Sequence, residues 1–247
     1  MRAISGPMVL RIPRAFALTR RKAEKLSHRN ALARLRSLGF VPAVIYDIGA
    51  YRGGWTRAAA EVFPAAQFVL FEANSDHVSE LAACGHRHVI AALGSEDGGA
   101  RVFHVPRAGD VTGASLYVEN TSHYAAPNLQ VRDVVTARLD TLVVREKLAA
   151  PDLVKIDVQG AELEVLAGAE ATLGGTSALI IEVSLVDYNK RAPLMAEVIA
   201  AVDRVGFRCV DLCEVHRTPA RFVLQLDLLF VRTPLFAKYG AAAGVAP

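Results

Sequence analysis

The 247-residue chain has no apolar run of the 18 or more residues that a membrane-spanning helix requires. Its N-terminus offers only two short apolar patches, residues 8–10 and 16–18, interrupted by Arg11, Pro13 and Arg14. A secretory leader needs a continuous apolar stretch of about 7–15 residues, so none is read here. Cysteine is scarce: Cys84, Cys209 and Cys213 are an odd number without framework spacing. On one strand, four residues at about 3.3 Å each hold Cys209 and Cys213 roughly 13 Å apart, too far for a disulfide. Buried reduced thiols and a cytoplasmic location are the expectation. Histidine and cysteine show no zinc-ligand spacing, His86-x-His88 being too little, so no metal is assigned. Nothing points to a serine or cysteine nucleophile. The G-x-G-x-x-G pattern of dinucleotide sites is also missing.

What is present is apolar mass: 52% of the residues are hydrophobic, enough for one sizeable core. The natural partition is a basic N-terminal helical extension over residues 1–40, one α/β domain over 41–235, and a flexible tail over 236–247. Charge is divided unevenly. Residues up to Arg36 hold ten basic side chains and one acid, a balance of +9, and the remainder of the chain carries −6. Leu26, Leu32, Leu35 and Leu38 give the extension partial helical periodicity, so it either packs an apolar stripe on the domain or makes weak contact with an anionic membrane surface. No aromatic residues interleave with its basic ones, so no nucleic-acid partner is expected.

The most informative stretch is Asp47-Ile-Gly-Ala-Tyr-Arg-Gly53, directly after the apolar residues 43–46. It reads as a buried parallel strand entering a glycine turn, followed by a helix over 54–62. Gly49 and Gly53 carry no Cβ to hold a ligand away. A second strand, 67–71, ends on Glu72, and a carboxylate there can accept from both hydroxyls of a ribose. Further units follow: a helix over 75–84, a strand over 88–91, extended segments over 101–106 and 131–137, and a helix over 140–147. Next come a strand over 153–157, a helix over 162–173, a strand over 178–183 and a helix over 193–205. Strands 207–212 and 222–231 have no helix between them and pair antiparallel. The fold class is therefore α/β: a Rossmann-like, seven-stranded, mostly parallel sheet with an antiparallel terminal hairpin and helices on both faces. Asp47, Glu72, Asp157 and Glu182 all fall at carboxyl ends of parallel strands, where such sheets bind ligands.

Asp47-x-Gly-Ala with Gly53, Phe71-Glu72, Lys155-Ile-Asp-Val-Gln-Gly-Ala-Glu162, Leu166-x-Gly-Ala, Glu182 and Asp227-x-Leu-Phe230 together resemble the FkbM family of S-adenosylmethionine-dependent methyltransferases. The resemblance covers residues 43–231 and departs twice, with Tyr51 where the family usually has Asn and Gln159 where it has Glu. It implies S-adenosylmethionine as cofactor and methylation of a hydroxyl oxygen on a small-molecule or glycan-like acceptor. It also implies Asp47, Gly49, Ala50, Gly53, Glu72 and Ala92 as cofactor-binding residues: Asp47 at the methionine end, Glu72 at the ribose, Ala92 beside the adenine. Asp157 is the candidate catalytic residue, orienting the acceptor or acting as base. Extended-strand geometry puts the Lys155 and Asp157 side chains about 6–7 Å apart, too far for a tight ion pair. The polar segment 109–128, with Ser115, Tyr117, His123 and Tyr124, is long for an unstructured connection and suits a lid or an acceptor-binding role. His123 and His104 are further candidates for base. Competing readings are a nicotinamide-dependent oxidoreductase and a catalytically degenerate cofactor-binding scaffold.

Overall fold

Five apolar segments pair side by side in parallel, and that pairing builds the frame of the molecule. The computed structural model describes residues 25–107, 113–121, 124 and 128–244. In it, Val44–Ile48 (β1) lies between Gln67–Glu72 (β2) and Leu153–Ile156 (β7). Arg87–Ile90 (β3) extends one side, and Ala178–Ser184 (β8) the other. Val223–Arg232 (β10) inserts antiparallel between β8 and the edge strand Phe207–Arg217 (β9), giving the order β3-β2-β1-β7-β8-β10-β9. The expected seven-stranded sheet with its terminal hairpin is therefore observed.

Both faces of the sheet are covered, and successive side chains of each strand serve alternate cores. Tyr46, Ile48, Val154, Ile156, Leu179 and Ile181 face one core. That core is closed by Leu139–Arg145 (α4), Glu162–Ala167 (α5), Glu170–Gly175 (α6) and Met195–Arg204 (α7). Ile45, Leu153, Ile180, Leu229 and Val231 face the other, under His28–Ser37 (α1), Gly54–Val62 (α2), Val78–Ala83 (α3) and Thr233–Ala242 (α8). Strands buried on both faces need continuous apolar runs, and β1 is buried at all five positions, with Asp47 its polar exception.

Four expectations are corrected. The helix over 162–173 is two helices, because a side-chain carbon at Gly168 would overlap the Gly94 carbonyl, and Asp140 accepts from the Ala171 and Thr172 N–H groups to start α6 anew. The helix over 75–84 opens with a 3-10 turn, Ser75–His77, capped by the Asn74 side chain. The first part of the tail is helical: α8 runs from the domain through Ala242, and Tyr239 Oη donates to Asp211 at 2.7 Å. Of the three thiols only Cys213 is buried; Cys84 is half-buried, and Cys209 on the edge strand is exposed.

Residues 101–106 and 131–137 belong to Ala100–Pro106 (β5) and Leu129–Ala137 (β6), which with Ala92–Leu93 (β4) form a separate three-stranded sheet beside the carboxyl ends of the main strands. The described part of the extension, residues 25–40, packs on the domain. Ser27 caps α1, Leu32 and Leu35 are fully buried, and Arg34 donates to Asp211 at 2.7 Å, whereas Leu26 is exposed. The basic residues 2–22, on which the expected membrane contact rests, lie outside the described residues. Among the described residues no helix is long and apolar enough to cross a membrane.

Candidate active site

The strand order reverses at β1 and β7, and there the carboxyl ends open a cleft of about 640 Å³, within the range of small-molecule sites. One wall is the turn after β1. Gly49 and Ala50 donate their N–H groups to Phe71 O at 2.9 and 3.0 Å, tying the turn to the end of β2. Gly49 (φ 77°), Tyr51 (φ 51°) and Gly53 (φ 70°) are left-handed. A Cβ on Gly49 would overlap the Asp157 carbonyl oxygen, and one on Gly53 would overlap Cys84 Sγ. Both glycines permit close protein contacts: Gly49 lets the ends of β1 and β7 touch, and Gly53 seats α2 against Cys84. Tyr51 stands on its ring's contact with His77, centroids 4.5 Å apart, and its buried Oη has no hydrogen-bond partner among the described residues.

Glu72 accepts from Tyr51 N–H through Oε2 at 2.7 Å and from Asn74 N–H through Oε1 at 2.8 Å. A carboxylate offers more acceptor sites than these backbone donors fill, and the residue lines the cleft, so the group fits a ribose hydroxyl. Burial pushes its carboxyl up, against the backbone donors that pull it down.

Asp47 sits behind the turn, fully buried, accepting from Thr56 Oγ1 at 2.6 Å. Lys155 Nζ lies 3.7 Å from Asp47 Oδ1 and 3.0 Å from Asp157 Oδ2. The separation expected for the Lys155–Asp157 pair is overturned because β7 ends at Ile156: Asp157 has already left the extended path, and the buried lysine reaches both acids. Burial alone would pull the Lys155 ammonium down, but Asp157 and Asp47 hold it above its ordinary value.

Beyond Asp157 the cleft is floored by polar side chains. Gln159, left-handed at φ 55°, turns its amide back to donate to Asp157 Oδ1 at 2.9 Å and Glu182 Oε2 at 2.6 Å. An amide where the family usually has Glu thus joins two carboxylates that would otherwise repel. Gln225 donates to the same Glu182 oxygen at 2.8 Å. Strand register puts Glu182 opposite Asp227, and Asp227 opposite Glu214, a row of three acids across neighbouring strands. Such rows are destabilising unless donors intervene. Here His216 Nε2 and His28 Nε2 lie 2.9 and 3.2 Å from Asp227 Oδ2. Burial raises the Asp227 carboxyl, but the two histidine hydrogen bonds outweigh it and hold the group below the usual carboxylate range. Glu182 moves the opposite way, raised by burial and then by Asp157 and Asp227.

Of the residues singled out in the sequence, Gly49, Ala50, Glu72, Ala92 and Asp157 line the cleft, and Asp47 and Gly53 support it from behind. His104 pairs its backbone with Ser115 and is not part of the lining, and His123 falls outside the described residues. The described part of the 109–128 segment roofs the cleft through Gly113, Ala114, Leu116 and Glu119. It is pinned by Ser115 Oγ to Gln159 O at 2.7 Å and by Tyr117 Oη to Glu164 at 2.7 Å. His216, Gln225, His28 and Trp55 escaped sequence reasoning. His28 lies 199 residues from the aspartate it contacts, and no local pattern announces such a pair.

The methyltransferase FkbM domain matches residues 47–209, two thirds of the chain. No curated protein matches the sequence closely enough to count as a relative. Among solved structures, magnesium protoporphyrin IX methyltransferase from Synechocystis PCC 6803 is similar at 14% identity, with 83% of this chain and 77% of that one covered and a TM-score of 0.48. Precorrin-6y C5,15-methyltransferase from Geobacter metallireducens is similar at 15% identity, with 85% and 92% covered and a TM-score of 0.45. The assignment rests on the domain match alone: the chain belongs to the FkbM family of S-adenosylmethionine-dependent methyltransferases.

Proposed function

We propose that this methyltransferase acts on a hydroxyl oxygen of a small-molecule or glycan-like acceptor. The observation that carries the reading is the convergence of Asp157, Gln159, Glu182, Gln225 and His216 at one end of the cleft. Five hydrogen-bonding side chains suit an acceptor rich in hydroxyl groups, because each group left unpaired in a buried site costs binding.

At the other end, Glu72 holds the cofactor ribose, the Gly49–Ala50 turn its amino-acid end, and Ala92 borders the adenine. Asp47 and Gly53 keep that turn in place without touching the ligand. The bound cofactor supplies an electrophilic methyl on a sulfonium whose charge is lost as the methyl leaves. With little charge developing, rate depends on holding the acceptor in line and removing its proton. Asp157, held in place by Lys155 on one oxygen and Gln159 on the other, orients the acceptor hydroxyl. The roof at Gly113–Glu119 keeps water from the reacting atoms.

Incubation with methyl-deuterated donor and a panel of sugars, glycosides and phenols, beside amines and activated carbon acids, tests the reading. Labelled methyl ethers located by mass spectrometry and NMR are the expected products, and label found only on nitrogen or carbon acceptors would contradict it.

A further inference from the structure

We propose that His216 is the base that takes the acceptor's proton, with Asp227 and His28 as positioning residues that fix its working tautomer. The proposal rests on the reading of the cleft as a hydroxyl-methylating site.

The protonation of this group follows from donor and acceptor chemistry. Trp55 Nε1–H can only donate, and it lies 3.1 Å from His28 Nδ1. His28 Nδ1 is therefore the acceptor, and the His28 proton sits on Nε2, which donates to Asp227 Oδ2. Asp227 is 3% exposed and receives two histidines on one oxygen, and these two hydrogen bonds favour the carboxylate. An anionic oxygen 2.9 Å from His216 Nε2 then requires a proton on that nitrogen. In the neutral ring the lone pair falls to Nδ1. That atom has no hydrogen-bond partner among the described residues and is not sealed from solvent, and its ring lines the cleft.

The surroundings favour the imidazolium that proton transfer creates. Asp227 approaches from β10, Glu182 from β8 with Oε1 3.9 Å away, Glu214 neighbours it on β9, and Asp157 comes from the end of β7. The cationic Lys155 is turned toward Asp47 and Asp157. The Asp227 hydrogen bond raises His216 above its ordinary value, against burial, and Asp227, Glu214 and Asp157 add to the rise through their charge.

In the step itself, His216 Nδ1 removes the acceptor O–H proton as the oxygen lone pair forms the new O–CH3 bond. The S–CH3 bonding pair stays on sulfur, which loses its positive charge. The proton remains on the imidazolium beside Asp227 until solvent takes it. No oxidant or further reactant is required.

Three variants of the full chain test this, His216→Gln, Asp227→Asn and His28→Gln, each checked for unchanged thermal unfolding. Expected for His216→Gln is a loss of roughly 10²–10⁴-fold in single-turnover methyl transfer with S-adenosylhomocysteine affinity within about twofold of wild type. The acid limb of the pH–rate profile should disappear with it. Asp227→Asn removes the anion that raises His216, so the acid limb should move to lower pH. His28→Gln weakens a donor that draws charge from Asp227, so it should move the limb by less and toward higher pH. Independently of activity, nitrogen-15 spectra of the unliganded protein at alkaline pH, where the ring is neutral, should show the His216 proton on Nε2. An Nδ1–H tautomer, or His216→Gln transferring at the wild-type rate, would overturn the proposal alone. Loss of activity on chelation with recovery on adding magnesium would overturn it in favour of a cation bridging Glu182, His216 and Asp227. A wild type that binds no S-adenosylhomocysteine would overturn the reading of the cleft as well.

Discussion

Replacing Gly49 by alanine tests how the site is assembled, and Gly39 supplies an internal control. Both glycines are left-handed, at φ 77° and φ 82°. An alanine at either pays about 1–2 kcal/mol for that conformation. At Gly39 nothing lies within 4 Å of the new carbon, so the cost stops there. At Gly49 the new carbon would stand 2.8 Å from the Asp157 carbonyl carbon and overlap its oxygen, and both partners are backbone. Forcing the ends of β1 and β7 apart adds about 1–3 kcal/mol, the range for overpacking. The expected totals are about 2–5 kcal/mol for Gly49→Ala and about 1–2 kcal/mol for Gly39→Ala, read by urea denaturation at unchanged slope. Cofactor affinity should fall only in Gly49→Ala, since that turn carries the cleft wall. Equal destabilisation by the two substitutions would refute the idea that Gly49 exists to let two strand ends meet.

Glu162 is buried and pushed up to about 7 from 4.5, chiefly by burial, while it accepts from the Gly160 and Val158 N–H groups. A carboxyl raised in the folded state stabilises fully below its unfolded value and loses that contribution as pH rises through about 7. Glu162→Gln keeps the acceptor oxygen without the titration, so wild type should lose roughly 1–3 kcal/mol relative to it between pH 4.5 and 8. A difference flat across that window in paired denaturation curves would count against the assignment. Asp157→Asn should lower single-turnover rate about 10²-fold, the scale of a misplaced reactant, with S-adenosylhomocysteine affinity within a few-fold. Unchanged turnover would reduce Asp157 to a counterion of Lys155.

The parts of the fold that could be read in advance are those written in contiguous residues. β1, its turn and α2 were legible because an all-buried strand, two glycines and a helix succeed one another without long-range help. The terminal hairpin was legible because two apolar runs lack a helix between them. The failures share a cause. The break between α5 and α6 depends on the Gly94 carbonyl and the Asp140 side chain, neither in the helix itself. The Lys155–Asp157 distance depends on where a strand stops, and one residue decided it. The row Glu182–Asp227–Glu214 depends on cross-strand register, including bulges in β9 and β10, that no local pattern specifies. His216 therefore carries no signal in its own neighbourhood, whereas three-dimensional pairing makes it part of the cleft.

Trp55, the single tryptophan of the chain, lines the cleft and reports on it directly. Titrating the protein with S-adenosylhomocysteine while following Trp55 fluorescence should give a saturable change, and NAD⁺ or NADH should give none. In Glu72→Ala the same titration should shift by about 1.5–3 kcal/mol, the scale of hydrogen bonds to a charged group. A saturable response to the nicotinamide cofactor with none to S-adenosylhomocysteine would contradict the account.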